Sequence, residues 1–456
     1  MSRSGPNLVV KYLEKTCWVA MLLWLVLISM SSAAYQSVSW MIMSAVLYGI
    51  CVFYTVAIML GCSYNSRALK RGRLVIVLAA LPLFWLYLQT VLPLGNTLLS
   101  GLLPSSSGFQ DMHSQALVSV DVIRTRHLLY SYLPPFICLL LMCTMLTKRS
   151  RIKHVLYLSV FLLLLHSAVG IYAKYSGIYF IDESQLDGHW SAARGWFVNR
   201  NHYAAFILSS LLGLLSFIAY YSREQQASPY VMVVLAFLVL ISLVAVVLSQ
   251  SRAGLVCWVF IFISSGLMTL RSVTRDRGDW ANRRSLPMIA ILSLVGVALV
   301  GMFFGAEMWS RLESSTLSIG ERGLQWDLTW QAISQSPWFG YGGGSYAQVF
   351  QYFRGYSELR QVIFDQSHNH YLHLWLEQGL VGLVLWLGLI AITFKKAVAG
   401  IRDSKSNLVI SVSFAACFVI GAALIQSLVD FNLQIINLRC FFFVIIGIIL
   451  ALPSAR

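Results

Sequence analysis

Apolar residues fill this chain in long unbroken blocks, and polar residues are confined to the gaps between them. Blocks of 17 or more mostly apolar residues fall near 17–33, 38–61, 74–94, 127–146, 154–173, 201–221, 229–249, 254–270, 286–304, 374–394, 407–427 and 435–452. A helix rises about 1.5 Å per residue and needs roughly 20 residues to cross the hydrocarbon, so each block is long enough to span it. Continuous rather than alternating hydrophobicity favours helices over a barrel, because every backbone polar group inside lipid must find its partner within the segment. The pattern therefore predicts an all-α polytopic membrane protein with about twelve transmembrane helices. The first block has the length of a span and lacks a small-residue cleavage site, so no cleavable signal peptide is expected.

The polar gaps orient the bundle. Lys and Arg accumulate in short cytoplasmic loops. If the chain starts inside, alternate gaps hold Arg3, Lys11, Lys15, "SRALKRGR", "TKRSRIK", Arg223, "RSVTRDRGDWANRR", "KKAVAGIRDSK" and Arg456, which together contain 22 of the 33 basic residues. Both termini are therefore expected in the cytoplasm. With 58% apolar and 11% charged residues, the net charge of +15 needs no nucleic-acid partner. It reads as topology signal and attraction to anionic lipid headgroups. The eight cysteines lie in or at the ends of predicted spans, without metal-site spacing, which excludes a disulfide framework.

On the opposite face three segments, 95–126, 174–200 and 305–373, are too long for plain turns. Loops beyond about 15 residues are usually functional or disordered. The last is rich in aromatics and contains a helix-like run, "ERGLQWDLTWQAIS", ended by Pro337. It is expected to fold as a periplasmic cap of two short helices between spans 9 and 10. The domain plan is then spans 1–9 over 1–304, the cap over 305–373, and spans 10–12 over 374–456. Its glycine-rich "WFGYGGGSY" reads as a tight turn between cap helices, since it is not the G-x-x-x-x-G-K-[ST] phosphate cradle.

Polar residues from separate segments reach this face. "SQSRAG" brings Arg252, the cap brings Arg322, and "RGWFVNRNHYAAF" brings Arg194, Asn199, Arg200, Asn201 and His202. "DQSHNHYLH" adds Asp365, His368, Asn369, His370 and His373. Several arginines at a lipid–water boundary suit an anionic, membrane-anchored substrate, because guanidinium makes planar bidentate bonds to phosphate. Blander roles stay open: Arg252 as a snorkelling anchor, Arg322 as a partner of Glu321, Arg200 and His202 as boundary residues. The histidines lack the H-E-x-x-H spacing and no second cluster completes a ligand set, so no metal is expected.

These motifs resemble the bacterial O-antigen ligase and polymerase family of inner-membrane glycosyltransferases. Its ligases carry a His followed by Asn, Ser or Gln, nine residues, and Gly-x-x-Gly. Here His368-Asn369 is followed by "HYLHLWLEQ" and then Gly379-Leu-Val-Gly382. "SRAG" at 251–254 and the cap segment "ERGLQWDLTWQAISQSPWFGYGGGSY" are similar to two further family stretches, and "FVNRNHYAAF" is similar to one in exopolysaccharide-cluster members. The resemblance covers about 195–390.

The resemblance implies a GT-C-like membrane glycosyltransferase that uses no cofactor and works at the periplasmic face of the inner membrane. The implied donor is a glycan on undecaprenyl diphosphate, and the acceptor is lipid A core or a lipid-linked glycan. His368 is then the general base or acceptor-orienting residue, and Arg252, Arg322 and, more weakly, Arg200 hold the diphosphate. Asn369 orients the imidazole or marks the helix start, Asn201 and His202 support the site, and Gly379 and Gly382 allow close helix packing. The histidine motif leans toward a ligase and "FVNRNHYAAF" toward a polymerase of surface polysaccharide or exopolysaccharide. A transporter or flippase is the alternative from another class, but its site would lie near the membrane midplane.

Overall fold

The structure, a computed structural model, describes residues 8–31, 37–93, 117–181, 192–223, 228–275, 315–354 and 364–453. Helices dominate: α1 (Leu8–Met30), α2 (Ser37–Met59), α3 (Ser66–Gln89), α4 (Val122–Met145), α5 (Arg149–Ser176), α6 (Arg200–Tyr221), α7 (Pro229–Leu248) and α8 (Arg252–Arg275) precede the cap. Two helices, α9 (Ser315–Gln335) and α10 (Tyr346–Arg354), lie within the segment read as the cap. The chain returns through α11 (His370–Asp403), α12 (Asn407–Gln426), a short 3₁₀ turn (Asn432–Gln434) and α13 (Ile436–Ala451).

Eleven of the twelve predicted spans fall on these helices, and the twelfth, 286–304, lies outside the described residues. Nine of the described helices are long and apolar enough to cross a membrane, and Arg252–Gly266 and Ile436–Ala451 form shorter apolar ones. The protein is an all-α, multi-pass membrane protein. Helix ends often overrun the apolar blocks, because hydropathy marks the hydrocarbon whereas capping marks the helix. The third helix illustrates this: it begins at Ser66, inside "SRALKRGR", where the Asn65 side chain accepts a 3.0 Å bond from the Ala68 N–H. Likewise α9 starts at Ser315, before the run at Glu321 that the sequence suggested.

The central helix is α6, buried on every face and packed most extensively against α12, with α5 and α7 beside it. Small residues permit the close crossings: the Gly213 N–H donates to the Ser159 hydroxyl oxygen at 3.1 Å, and a Cβ there would strike the Leu156 carbonyl. On the other flank α13 packs along α4, where a Cβ at Gly447 would come within 2.6 Å of Met142 Cβ.

The two ends of the bundle differ in chemistry. At one end the basic residues collect: the Lys396 ammonium donates to the Arg71 carbonyl at 3.0 Å, and Arg151 pairs with Glu14 at 2.7 Å. The starts of α6, α8 and α11 and the end of α12 lie at the other end, beneath α9 and α10. These two helices pack on the first turns of α11 around a small second core that includes Ile333, Tyr346 and Phe350.

Candidate active site

The spacing between His368 and the glycine pair has a mechanical origin. Helix α11 breaks at Gly379, whose φ of 67° and ψ of −174° are open only to glycine. The break releases the carbonyls of the preceding turn, and the cap turn satisfies them. Tyr341 N–H donates to the Leu376 carbonyl at 3.0 Å and Gly342 N–H to the Glu377 carbonyl at 2.9 Å. From α3, Trp85 Nε1 donates to the Gln378 carbonyl at 2.7 Å and the Gln89 amide to the Glu377 carbonyl at 2.9 Å. In return Leu380 N–H donates to the Pro337 carbonyl at 2.8 Å. A Cβ on Gly379 would run into the Trp338 carbonyl, and one on Gly340 would come within 2.6 Å of the Glu377 backbone.

The glycine-rich turn thus splints the broken helix, and its Tyr341 and Gly342 N–H groups are used on the carbonyls of α11. Gly379 serves this turn rather than the helix–helix packing expected of it. Gly382 instead makes room for the Gln378 side chain one turn before it.

The break leaves a stub of α11, from His370 to Gln378, that points His368 at its neighbours. Asn369 settles one expectation: its side chain accepts from Tyr371 and Leu372 N–H at 3.0 and 3.1 Å, so it marks the helix start. The preceding residue, His368, sits at φ 49°, strained for a residue with a side chain. The His370 N–H, donating to the Ser427 carbonyl at 2.9 Å, and the Ser367 hydroxyl, donating to the Asn369 carbonyl at 2.6 Å, hold it there.

The three histidines of this stretch point to different surroundings. His368 stands 5.4 Å from the Phe431 ring, edge to face. His370 is buried toward Trp386. His373 stacks on Tyr346 at 4.6 Å and its Nε2 lies 3.1 Å from the Glu377 carboxylate, which also accepts from the Tyr346 N–H at 3.1 Å. That divergence gives His373 and Glu377 a task in fixing the cap to α11.

Around His368 lies a buried polar cluster. His202 also packs edge to face on Phe431 at 4.8 Å, and its Nε2 is 3.9 Å from the carboxylate of Asp430, itself only 1% exposed. Asn201, on the first turn of α6, lies close enough to lower the pKa of the same carboxyl. One Asp430 oxygen accepts from the Phe431 N–H at 2.8 Å, while the other, like Nδ1 of His368, has no hydrogen-bond partner among the described residues. Burial pulls the His368 pKa below its ordinary value of 6.5, Asp430 opposes this, and the Arg322 charge reinforces it. Burial also raises the Asp430 carboxyl, with His368 pulling the other way.

The arginines arrive on three elements. Arg322 sits one turn before Gln325 and Trp326 of α9, whose side chains donate to the Gln366 and Ser367 carbonyls at 2.6 and 2.9 Å. Those bonds set Arg322 near enough to His368 and Asp430 for its charge to act on both. Arg200 opens α6, behind an N-cap in which Asn199 accepts from the Asn201 N–H at 2.7 Å. Arg252 opens α8 and is exposed. The first turns of α6 and α8 touch, since a Cβ on Gly254 would come within 2.7 Å of Ala204 Cβ. The Ala193 N–H donates to the Leu248 carbonyl at 2.8 Å, binding the segment before α6 to the end of α7.

Two buried charged residues at this end of the bundle were absent from the sequence reading. Asp430 lies in the short connection after α12, on the same face as His368, and an acid in so apolar a stretch was the available signal. The other is Arg439, fully buried on α13, whose guanidinium donates to the Leu433 and Gln434 carbonyls at 2.7 and 2.6 Å and covers Tyr132 at 3.7 Å. It holds the 3₁₀ turn that follows Asp430.

Fold and site define a multi-pass helical membrane protein whose polar cluster sits at one end of the bundle under a small helical cap. Residues 237–387 match the sequence profile of the O-antigen ligase family. The chain is also similar to a general O-oligosaccharyltransferase of Acinetobacter baylyi (strain ATCC 33305 / BD413 / ADP1). The two are 25% identical over 284 residues, a match covering 57% of this chain and 43% of that relative.

Proposed function

We propose that the protein is a glycosyltransferase of the O-antigen ligase type, moving a glycan from undecaprenyl diphosphate to an acceptor sugar hydroxyl. The observation that carries this reading is the polar cluster of His368, Asp430, His202 and Asn201 within reach of the Arg322 charge, at the end of the bundle opposite the basic starts of α3 and α5. By the positive-inside rule that end faces the periplasm, with both chain termini in the cytoplasm and the membrane being the inner one.

In the proposed step the acceptor hydroxyl attacks the anomeric carbon, the bond from that carbon to the diphosphate oxygen breaks, and undecaprenyl diphosphate leaves. Charge grows on the leaving oxygen as the bond breaks, so fixed guanidinium groups of Arg322, Arg252 and Arg200 stabilise the transition state more than the ground state. The acceptor proton passes to His368, which burial keeps neutral and able to accept it. These side chains supply every role in the step, and no metal or cofactor enters it. Lipid A core is the proposed acceptor. Because "FVNRNHYAAF" contributes Asn201 and His202 to the cluster, polymerisation onto a lipid-linked repeat is the second reading.

Deleting the protein and analysing surface glycans tests the proposal. Lipid A core without polymer is the expected outcome, a single attached repeat or loss of secreted polymer alone would select the polymerase reading, and unchanged glycans would overturn both. Arg322→Lys and Arg252→Lys should each lower transfer about tenfold or more, because an ammonium cannot grip diphosphate bidentately. Full activity in either variant would reduce that residue to a charge anchor.

The cluster also sets a pH dependence. As a base, His368 works deprotonated, so activity falls as pH drops through its pKa. Asp430 raises that pKa. Asp430→Asn should therefore move the acid limb of the kcat/KM profile to lower pH while reducing the rate. An unmoved limb would remove Asp430 from contact with the base.

A further inference from the structure

At the basic end of the bundle, the starts of α5 and α12, the end of α6 and Pro453 after α13 border an open cavity of about 650 Å³. Arg149, Lys153 and Lys405 line it together with the hydroxyls of Ser150, Ser404 and Ser406, and among the described residues no Asp or Glu does. The acid nearest in sequence, Asp403, is paired with Arg402 at 2.6 Å. Lys153 rests over the Tyr220 ring, 5.6 Å from its centroid. Three cations drawn to one cavity without a counter-charge repel one another, and an anion between them reverses the sign of that energy.

The surroundings narrow the kind of anion. Helices α5, α6 and α12 are membrane spans, so the cavity joining their ends lies at the level of the lipid headgroups. The residues before α5 and α12, Lys148 and Ser406, make no side-chain capping bond, which leaves first-turn N–H groups and their partial positive charge on this side. The volume lies within the roughly 300–1,000 Å³ typical of small-molecule sites, and serine hydroxyls beside the cations suit a phosphate that carries a hydroxylated group.

We propose that this cavity binds the phosphodiester headgroup of an anionic phospholipid from the leaflet at the basic end. The site is separate from the cluster at His368 and does not depend on what that cluster catalyses.

The test uses the full-length protein in nanodiscs of phosphatidylcholine, with or without phosphatidylglycerol. The thermal midpoint of the unmodified protein should rise with phosphatidylglycerol, and the combined variant Arg149→Gln/Lys153→Gln/Lys405→Gln should lose more than half of that rise. The combined variant Arg67→Gln/Lys70→Gln/Arg73→Gln, which removes three exposed cations of α3 at the same end, should keep it. Equal loss in both variants would reduce the effect to surface charge and overturn the site. The same rise on adding inorganic phosphate to phosphatidylcholine discs would overturn the lipid assignment. Native mass spectrometry gives a second readout: phosphatidylglycerol retained equally by the cavity variant and the unmodified protein would also refute the proposal.

Discussion

His368→Ala is expected to lower glycan transfer by about 10²–10⁴-fold, the usual contribution of a positioned acid or base, while membrane levels of the protein stay unchanged. The prediction separates catalysis from folding because the His368 ring makes few structural contacts. Its Nδ1 bonds to nothing among the described residues, and the ring meets Phe431 only edge to face. His373→Ala is the informative contrast. That ring stacks on Tyr346 and meets the Glu377 carboxylate, so its loss should loosen the cap and lower thermal stability along with activity. The measurement is transfer of lipid-linked glycan by purified protein at matched concentration. Near-normal transfer by His368→Ala would take the residue out of the mechanism and leave its strained backbone without a functional account.

Gly379→Val should be the most damaging change to the fold. A β-branched side chain at φ 67° and ψ −174° costs about 1–3 kcal/mol in backbone strain, and forcing a Cβ into the Trp338 carbonyl adds overpacking of about 1–3 kcal/mol. The splint of cap turn, α3 and α11 would separate as a unit, since the carbonyls of Leu376, Glu377 and Gln378 all depend on it. A large drop in thermal midpoint and in membrane level is expected. Gly388→Ala lies further along the same helix in open space and should be neutral or slightly stabilising. Equal behaviour of the two variants would show that the break is not a structural requirement.

The sequence by itself determined the elements. Hydrophobic blocks give the spans because lipid forces each backbone to bond within its own segment, and the two helices of the cap region could be anticipated from an aromatic-rich run ended by proline. It also supplied most of the candidate cluster, since a basic or imidazole side chain at a span end is conspicuous in so apolar a chain. Its limit is that periodicity and spacing are local. The motif spacing singled out His368, but it left open whether Asn369 orients the imidazole or caps a helix, and it did not tell that the glycines of "WFGYGGGSY" splint a break in α11.

Those matters rest on long-range contacts. Asp430 sits on the turn between α12 and α13 and reaches His202 of α6 only because α6 and α12 pack together along their length. The break at Gly379 is stable only because the cap turn and α3 take up the carbonyls it exposes. A buried carboxylate and a broken helix are each costly alone, and only the tertiary structure brings the donors that offset them.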